Sequence, residues 1–388
     1  MSKIYCCKFL SAFGITLVLA NSCAYGITFE AMGDFSGEFP KYPGAAGLSA
    51  DGTVAYFTGI YGEQPSNNPG GGVVTGQSAY RVQWGQPGAT PIISTQIQGG
   101  FEAFSTDSSG NTAYGRLFGE GIVQWKQGQG TQRLTELENA LTPSSGPSLY
   151  SLSKMSGDGN WITGTTSLSA STIFRWSTAT NTLETYTNTD YEITRVHGVN
   201  QNGSVMAGSA WNWMEAPTPV IWTEASGFTT LSTGNGEALA VTRDGMTAIG
   251  HLNGFGFQWS AESGTTMLEG FADSTASRAN AIDDSATFVV GSASFGEATE
   301  AVIWINGQIY SLYDILIDQG FDLIGWTLTS ANGISADGSV IIGNGIDPNG
   351  KSSPWMIRGY TPLIPEPSTY AALAGLGALG LLAWRRRQ

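Results

Sequence analysis

The 388 residues predict an all-β chain, a seven-bladed β-propeller, and three observations carry that expectation. Glycine supplies 53 residues and charged residues only 12%, while aromatics reach 11%, the composition of a turn-rich globular chain with an uncharged polar surface. One spacing recurs along the body: an apolar residue, three small or polar residues, Gly, four residues, Gly. A tryptophan follows each copy, at Trp84, Trp125, Trp176, Trp222, Trp259, Trp304 and Trp355. Trp84 and Trp355 lie 271 residues and six steps apart, a mean period of about 45, which suits a four-stranded blade repeated around a ring.

From the N-terminus, residues 1–24 have the form of a secretory signal. Lys3 and Lys8 precede an uncharged apolar run from Phe9 to Ala20, and Ser22-Cys23-Ala24 offers a small-x-small cleavage site. The run is short for a membrane span of about 30 Å. A lipoprotein reading would use Cys23, but Asn21 and the lack of a Leu three residues before it count against that. Cys6, Cys7 and Cys23 are the only cysteines. Cleavage after Ala24 leaves a mature chain with no disulfide, thiol nucleophile or Cys-ligated metal.

Residues 25–360 form the propeller domain. Its cleanest repeat is Ile334-Ser335-Ala336-Asp337-Gly338-Ser339-Val340-Ile341-Ile342-Gly343. Gly110/Gly115, Gly159/Gly164, Gly203/Gly208 and Gly245/Gly250 keep the five-residue step. Ala286/Gly291 replaces the first Gly, and the copy at Gly52 has Phe57 for the second. Asp-Gly or Asn-Gly between apolar runs predicts a tight hairpin. Val340-Ile341-Ile342 and Phe288-Val289-Val290 suit strands buried on both faces. The tryptophan strand then covers the neighbouring unit. Stacked sheets in a solenoid or paired sandwiches are the alternative architecture.

Ring closure is expected from the ends. Pro362 and Pro365 leave no room for a fourth strand after Trp355–Arg358. Residues Ile27 to Met32 belong to no repeat and are expected to pair as the missing outer strand of the last blade. One helix is expected in the body, Tyr313 to Gln319, ended by Gly320.

Residues 361–368 read as a Pro-rich hinge and 369–388 as a short apolar helix with a basic stop. From Thr369 to Trp384 is about 24 Å of helix, short for a stable span. Arg385, Arg386 and Arg387 would hold the terminus on the cytoplasmic side. Pro365-Glu366-Pro367, the apolar helix and the Arg cluster, in that order, resemble the PEP-CTERM sorting signal. The resemblance implies an exosortase as partner, in a Gram-negative bacterium. It also implies a membrane-anchored precursor and release to the envelope or extracellular matrix after cleavage near the motif. Ile334–Gly343 with its tryptophan strand, together with Ile324-Gly325-Trp326-Thr327-Leu328, is similar to the bacterial extracellular HAF-type repeat. That type implies an extracellular fold and supplies no catalytic motif.

The formal charge of -14 argues against a nucleic-acid partner, which needs a basic stripe. Gly345–Ser352 spells a P-loop string, but Pro354 and a tryptophan strand follow where the helix that cradles phosphate would have to begin. Gly375–Gly380 spells a dinucleotide fingerprint inside the tail helix, where helix packing in lipid explains its small residues. Asp51, Asp158, Asp244 and Asp337 precede turn glycines and read as turn caps rather than calcium ligands. His197 and His251, the only histidines, lack a matched third ligand for zinc. There is no Gly-x-Ser-x-Gly elbow. Asp314, Asp318 and Asp322 suit a solvated helix edge. No catalytic residue, metal or cofactor is therefore expected.

The candidate contact residues are Trp211 and Trp213 in Trp211-Asn212-Trp213-Met214-Glu215, two tryptophans outside the repeating positions. They suit sugar stacking or a partner contact, or else cap the fourth blade. The long insertion from Tyr61 to Ala79 falls at the equivalent place in the first repeat, on the same face of the ring. The expected function is a non-enzymatic envelope or matrix protein that binds an exopolysaccharide or a surface protein. A polysaccharide-active enzyme would instead need converging carboxylates in a deep cleft. A purely structural matrix component would have no ligand.

Overall fold

The computed structural model describes residues 27–31, 44–60, 64–65, 73–74, 77–83, 92–94, 101–117, 121–141, 151–166 and 172–360. The expected signal, hinge and tail helix, and Trp84, lie outside the described residues.

Seven four-stranded antiparallel sheets make the body. A first strand, β1 (Thr28–Ala31), precedes them. Blade one holds β2 (Gly44–Leu48), β3 (Val54–Ile60), β6 (Gln77–Gln83) and β7 (Ile92–Ser94), with a small ladder of β4 (Gln64–Pro65) and β5 (Val73–Val74) inserted. Blade two is β8 (Phe101–Thr106), β9 (Thr112–Leu117), β10 (Gly121–Lys126) and β11 (Gly130–Arg133), followed by α1 (Thr135–Leu141). Blade three is β12 (Ser151–Met155), β13 (Trp161–Thr165), β14 (Thr172–Ser177) and β15 (Thr182–Thr187). Blade four is β16 (Ile193–Val199), β17 (Val205–Trp211), β18 (Thr218–Thr223) and β19 (Gly227–Thr230). Blade five is β20 (Gly236–Val241), β21 (Thr247–Leu252), β22 (Phe255–Ser260) and β23 (Gly264–Met267). Blade six is β24 (Ala276–Ile282), β25 (Phe288–Phe295), β26 (Ala298–Ile305) and β27 (Gln308–Ser311), followed by α2 (Leu312–Asp318). Blade seven is β28 (Thr327–Ile334), β29 (Val340–Ile346) and β30 (Ser352–Arg358), and β1 completes it. The six described repeat tryptophans all stand on third strands.

Each blade's first strand touches the first strands of its two neighbours, in the closed order β2, β8, β12, β16, β20, β24, β28 and back to β2. These seven strands are the inner wall of the ring. The expected closure is present: β1 pairs antiparallel with β30, Thr28 opposite Arg358 and Ala31 opposite Trp355. Phe29 stands edge-on to Trp326 at 5.4 Å and packs against the core of the last two blades. The last blade thus takes its outer strand from the other end of the chain and joins the termini of the ring without a covalent link.

The repeat's residues act as one device. The turn between first and second strands spans five residues (Ser335 to Ser339 in blade seven), longer than the tight hairpin that Asp-Gly alone suggests. Ser335 Oγ accepts from the Val340 N–H, and Asp337 accepts from the Ser335 hydroxyl and the Ser339 N–H. Asp51, Asp158 and Asp244 cap their turns in the same way, each from a different blade. Hydrogen bonds from Ser49 and Thr53 outweigh the cost of burial and hold the Asp51 carboxyl below its ordinary value. The first repeat glycine takes positive φ in every copy that has it, and Ala286 takes φ 56° in its place.

The turns also bind one another. Backbone N–H groups of Ala50, Ser108, Asp158 and Gln201 donate to Ser108, Gly157, Gln201 and Arg243 of the next blade. Asp284 donates to Ala336, and Ala336 donates to Ala50 across the closure. Between blades five and six an Arg243–Asp284 ion pair of 3.7 Å spans the junction. Sequence-distant blades are therefore tied by main-chain bonds at one end of the ring.

The second glycine has a different cause. Every first strand carries a register irregularity, such as Val196/Gly198, Ala238/Ala240 and Ala279/Ala281, and β28 carries two. The bulge presses the inner strand's carbonyl onto the glycine opposite. A Cβ on Gly208, Gly250 or Gly291 would stand 1.9 Å from the carbonyl oxygen of Arg195, Glu237 or Arg278. In blade one Phe57 sits opposite Ala45 and is buried.

Between blades three and four, Arg175 is buried and bonds Glu184 at 2.6 Å, the Gly203 carbonyl at 3.0 Å and Glu224 at 3.2 Å, with its guanidinium over Trp161. Trp222 packs on Tyr186 across the same junction at 4.1 Å. The helix α2 is the expected one, with Ser311 accepting at its N-cap from Asp314 N–H. Helix α1 is not foreseen by the repeat pattern. Its signals are present: Leu137 and Leu141 are buried one turn apart, and Glu136 and Glu138 stand in the first turn.

Candidate functional site at the axis of the ring

The inner strands expose a cluster that the sequence scatters over 83 positions, from Arg195 to Arg278. His197 is the bulged residue of β16. Its Nε2 lies 2.9 Å from Ser209 Oγ and 3.7 Å from Glu237 Oε1. Glu237 comes from β20 of the next blade, directly opposite His251 on β21. His251 Nε2, carrying the proton, donates to Glu237 Oε2 at 3.2 Å. Arg278 on β24 donates to the same oxygen at 3.0 Å. Three consecutive blades thus converge on one carboxylate.

The hydrogen bond from His251 does most to hold the Glu237 carboxyl down at about 2. Burial opposes it, and the charges of His197 and Arg278 add to it. Burial pushes the His197 imidazole below its ordinary value, against the pull of Glu237. Glu237 therefore stays ionised at neutral pH, and its oxygens are already engaged by donors. The structure supplies the third group that the two histidines lack in sequence, but Arg278 shares its oxygen. Among the described residues no set of three His, Cys, Asp or Glu side chains is arranged to hold a metal ion.

The two candidate tryptophans join this end of the ring. Trp211 is not in the loop but ends β17, opposite Ile193, and the Arg195 guanidinium lies 5.2 Å from its ring centre. Trp213 leads out of the strand and is 61% exposed. Its backbone is fixed: the Trp213 N–H donates to Glu192 Oε2 at 2.7 Å, and Asn212 Nδ2 donates to Glu215 at 3.1 Å. Met214, at φ 68°, is fully exposed beside it. The insertion of blade one joins the same pair of strands, second to third, and its described part is the β4–β5 ladder.

The remaining motifs fall as structural. Asp347 to Gly350 of the P-loop string is a turn closed by Asp347 N–H to the Lys351 carbonyl at 2.8 Å, and β30 follows, not a helix. Asp322 caps a turn at Ile324, and Asp314 lies in the first turn of α2. Pro365, Glu366, Pro367 and Arg385 to Arg387, and the glycines of the tail fingerprint, lie outside the described residues.

Glu237, Arg278 and Arg195 were not foreseen as site residues. A signal for them exists in the register. Each lies thirteen residues before a second repeat glycine, Gly250, Gly291 and Gly208, at the position that meets the neighbouring blade on the inner wall.

Comparisons with known proteins agree with the reading of the tail. Residues 363–387 match the PEP-CTERM protein-sorting motif. Among solved structures, the chain is similar to the structure of putative TolB from Agrobacterium tumefaciens. The two share 12% identity and a TM-score of 0.39, over 53% of this chain and 72% of that one. No curated protein matches the chain. Among the described residues no helix is long and apolar enough to cross a membrane. The chain is a seven-bladed propeller with a PEP-CTERM sorting motif, the address of an exported, membrane-anchored precursor of Gram-negative type that an exosortase processes.

Proposed function

We propose that the processed chain is a non-enzymatic binding propeller of the cell envelope or extracellular matrix, and that its ligand is a glycan taken at the axial end that carries Trp213. The observation that carries this reading is an exposed tryptophan on a backbone already fixed by Glu192, beside Trp211 and the cluster around Glu237. A flat apolar ring held in place suits the C–H face of a sugar, and little ordering cost is left for binding. The likeness of Ile334–Gly343 to the HAF-type repeat fits an extracellular role. Glu237, held ionised by its partners, does not supply the protonated carboxyl that the general acid of a glycosidase requires.

The test is a panel of immobilised polysaccharides read with the protein and with Trp213→Ala. Binding to one glycan class, weakened about tenfold or more in the variant, supports the reading. No glycan binding, or equal binding by both proteins, refutes it. A purely structural role would give the first of these refuting results.

A further inference from the structure

We infer that the axial end of the ring beside Trp213 binds the acidic groups of an anionic polysaccharide, one whose sugars bear carboxylates. The inference deepens the glycan reading above and rests on it.

Its basis is a reversal of charge. Five of the 17 Lys and Arg lie in the expected signal and tail, which leaves 12 in residues 25–364. Of the 31 Asp and Glu only Glu366 does, which leaves 30 and a formal charge of -18. Acidic side chains are plentiful, yet the inner strands β12, β16, β20 and β24 carry Lys154, Arg195 and Arg278, with His197, against Glu237 alone. Among the described residues, neither the Lys154 ammonium nor the Arg195 guanidinium has a carboxylate partner. The Lys154 side chain is exposed on the inner wall. An exposed cation with no counter-charge of its own is open to a ligand anion.

The geometry brings these cations together. Ser153 Oγ donates to the Val196 carbonyl at 2.7 Å, which sets the bulge of β12 beside the bulge of β16. Lys154 and His197 are therefore neighbours around the ring. Arg195 lies two residues before His197 and stacks on Trp211. Arg278 leaves part of its guanidinium exposed beyond Glu237. An acidic sugar meets a planar guanidinium suited to a carboxylate at Arg195, and a flat apolar ring one strand away at Trp213. A metal is the rival occupant of this cluster, and Arg278 on Glu237 Oε2 opposes it.

The test uses the full chain in detergent and calorimetric titration with three probes: a galacturonate trimer, a neutral glucose trimer and inorganic sulfate. The expected result is that the acidic trimer binds at least about tenfold tighter than the neutral one and than sulfate. Lys154→Gln and Arg195→Gln each weaken it about tenfold, and Arg195→Lys restores part of the loss. Both residues are unpaired by carboxylates, so neither change breaks an ion pair of the described fold, and an unchanged melting temperature verifies that. Equal binding of the neutral trimer, or unaltered affinity in both Gln variants, overturns the inference and leaves the glycan reading standing. Sulfate binding as tight as the acidic trimer means a small-anion site and also overturns it. Failure of both trimers to bind refutes the two readings together.

Discussion

The glycine that faces each inner-strand bulge is the sharpest place to perturb this fold. Gly250→Ala puts a Cβ 1.9 Å from the Glu237 carbonyl oxygen and 2.9 Å from its carbon. Ordinary C···O contact is about 3.3 Å or more. The strand must therefore retreat by more than about 1 Å, and the atoms in the way are backbone, which cannot rotate aside. Overpacking of this kind costs roughly 1–3 kcal/mol, and the loss of one ladder hydrogen bond about 1 more. The expected penalty is about 2–4 kcal/mol, a large part of the roughly 5–15 kcal/mol of a typical domain. Gly256→Ala is the control in the same blade, because its Cβ would meet Leu268, Ser277 and Trp304 at 3.4 to 3.5 Å, ordinary contact. It should change stability by no more than about 0.5 kcal/mol. Urea unfolding followed by circular dichroism reads both. Equal midpoints for Gly250→Ala and Gly256→Ala would refute the claim that the bulge dictates the glycine.

The other predictions concern closure, strain and charge. Phe29→Ala removes a partly buried ring from the joint between β1 and the last blade, and should lower stability by about 2 kcal/mol. Deleting residues 25–31 should go further and expose the β30 edge to pairing, seen as aggregation by light scattering. Ala286→Gly relieves a positive φ worth about 1–2 kcal/mol, less about 0.5–1 for the freer unfolded chain, so the urea midpoint should rise. Glu237 has a folded pKa of about 2 against an ordinary 4.5, so its contribution is present above pH 4.5 and is lost as pH falls toward 2. His197, also lowered, takes its proton more readily unfolded, so stability falls as pH drops below 6.5. Both slopes have the same sign, and Glu237→Gln should flatten the one below pH 4.5 in a pH series of unfolding midpoints.

Much of this architecture is legible in the residues because the repeat writes it seven times. Gly338 with Asp337 and Ser335 states a turn, and Val340 to Ile342 states a buried strand, each by local chemistry. The pairing of Thr28–Ala31 with β30 follows from counting strands in the last repeat. Local chemistry is silent where the cause is distant. The second glycine looks like a strand residue that permits close packing, but the Glu237 carbonyl that excludes its Cβ lies thirteen residues upstream in a different strand. Helix α1 was hidden because it lies between repeats and its Leu137 and Leu141 join the core shared by blades two and three. The histidines gave no site in sequence because their shared partner, Glu237, comes from the blade after His197 and is bound on its far side by the blade after that. Ring geometry alone makes them neighbours, and the register of Glu237, thirteen residues before Gly250, is the only linear trace of it.

The most direct test of the account is the mass and location of the native protein in cells with and without a working exosortase. In competent cells the protein should lose Arg385 to Arg387 with the apolar tail, leave the membrane, and sediment with the extracellular polysaccharide. In cells without the enzyme it should keep its tail and stay in the membrane. An intact tail in both strains would contradict the account, and so would a processed protein that leaves the cell but never associates with polysaccharide.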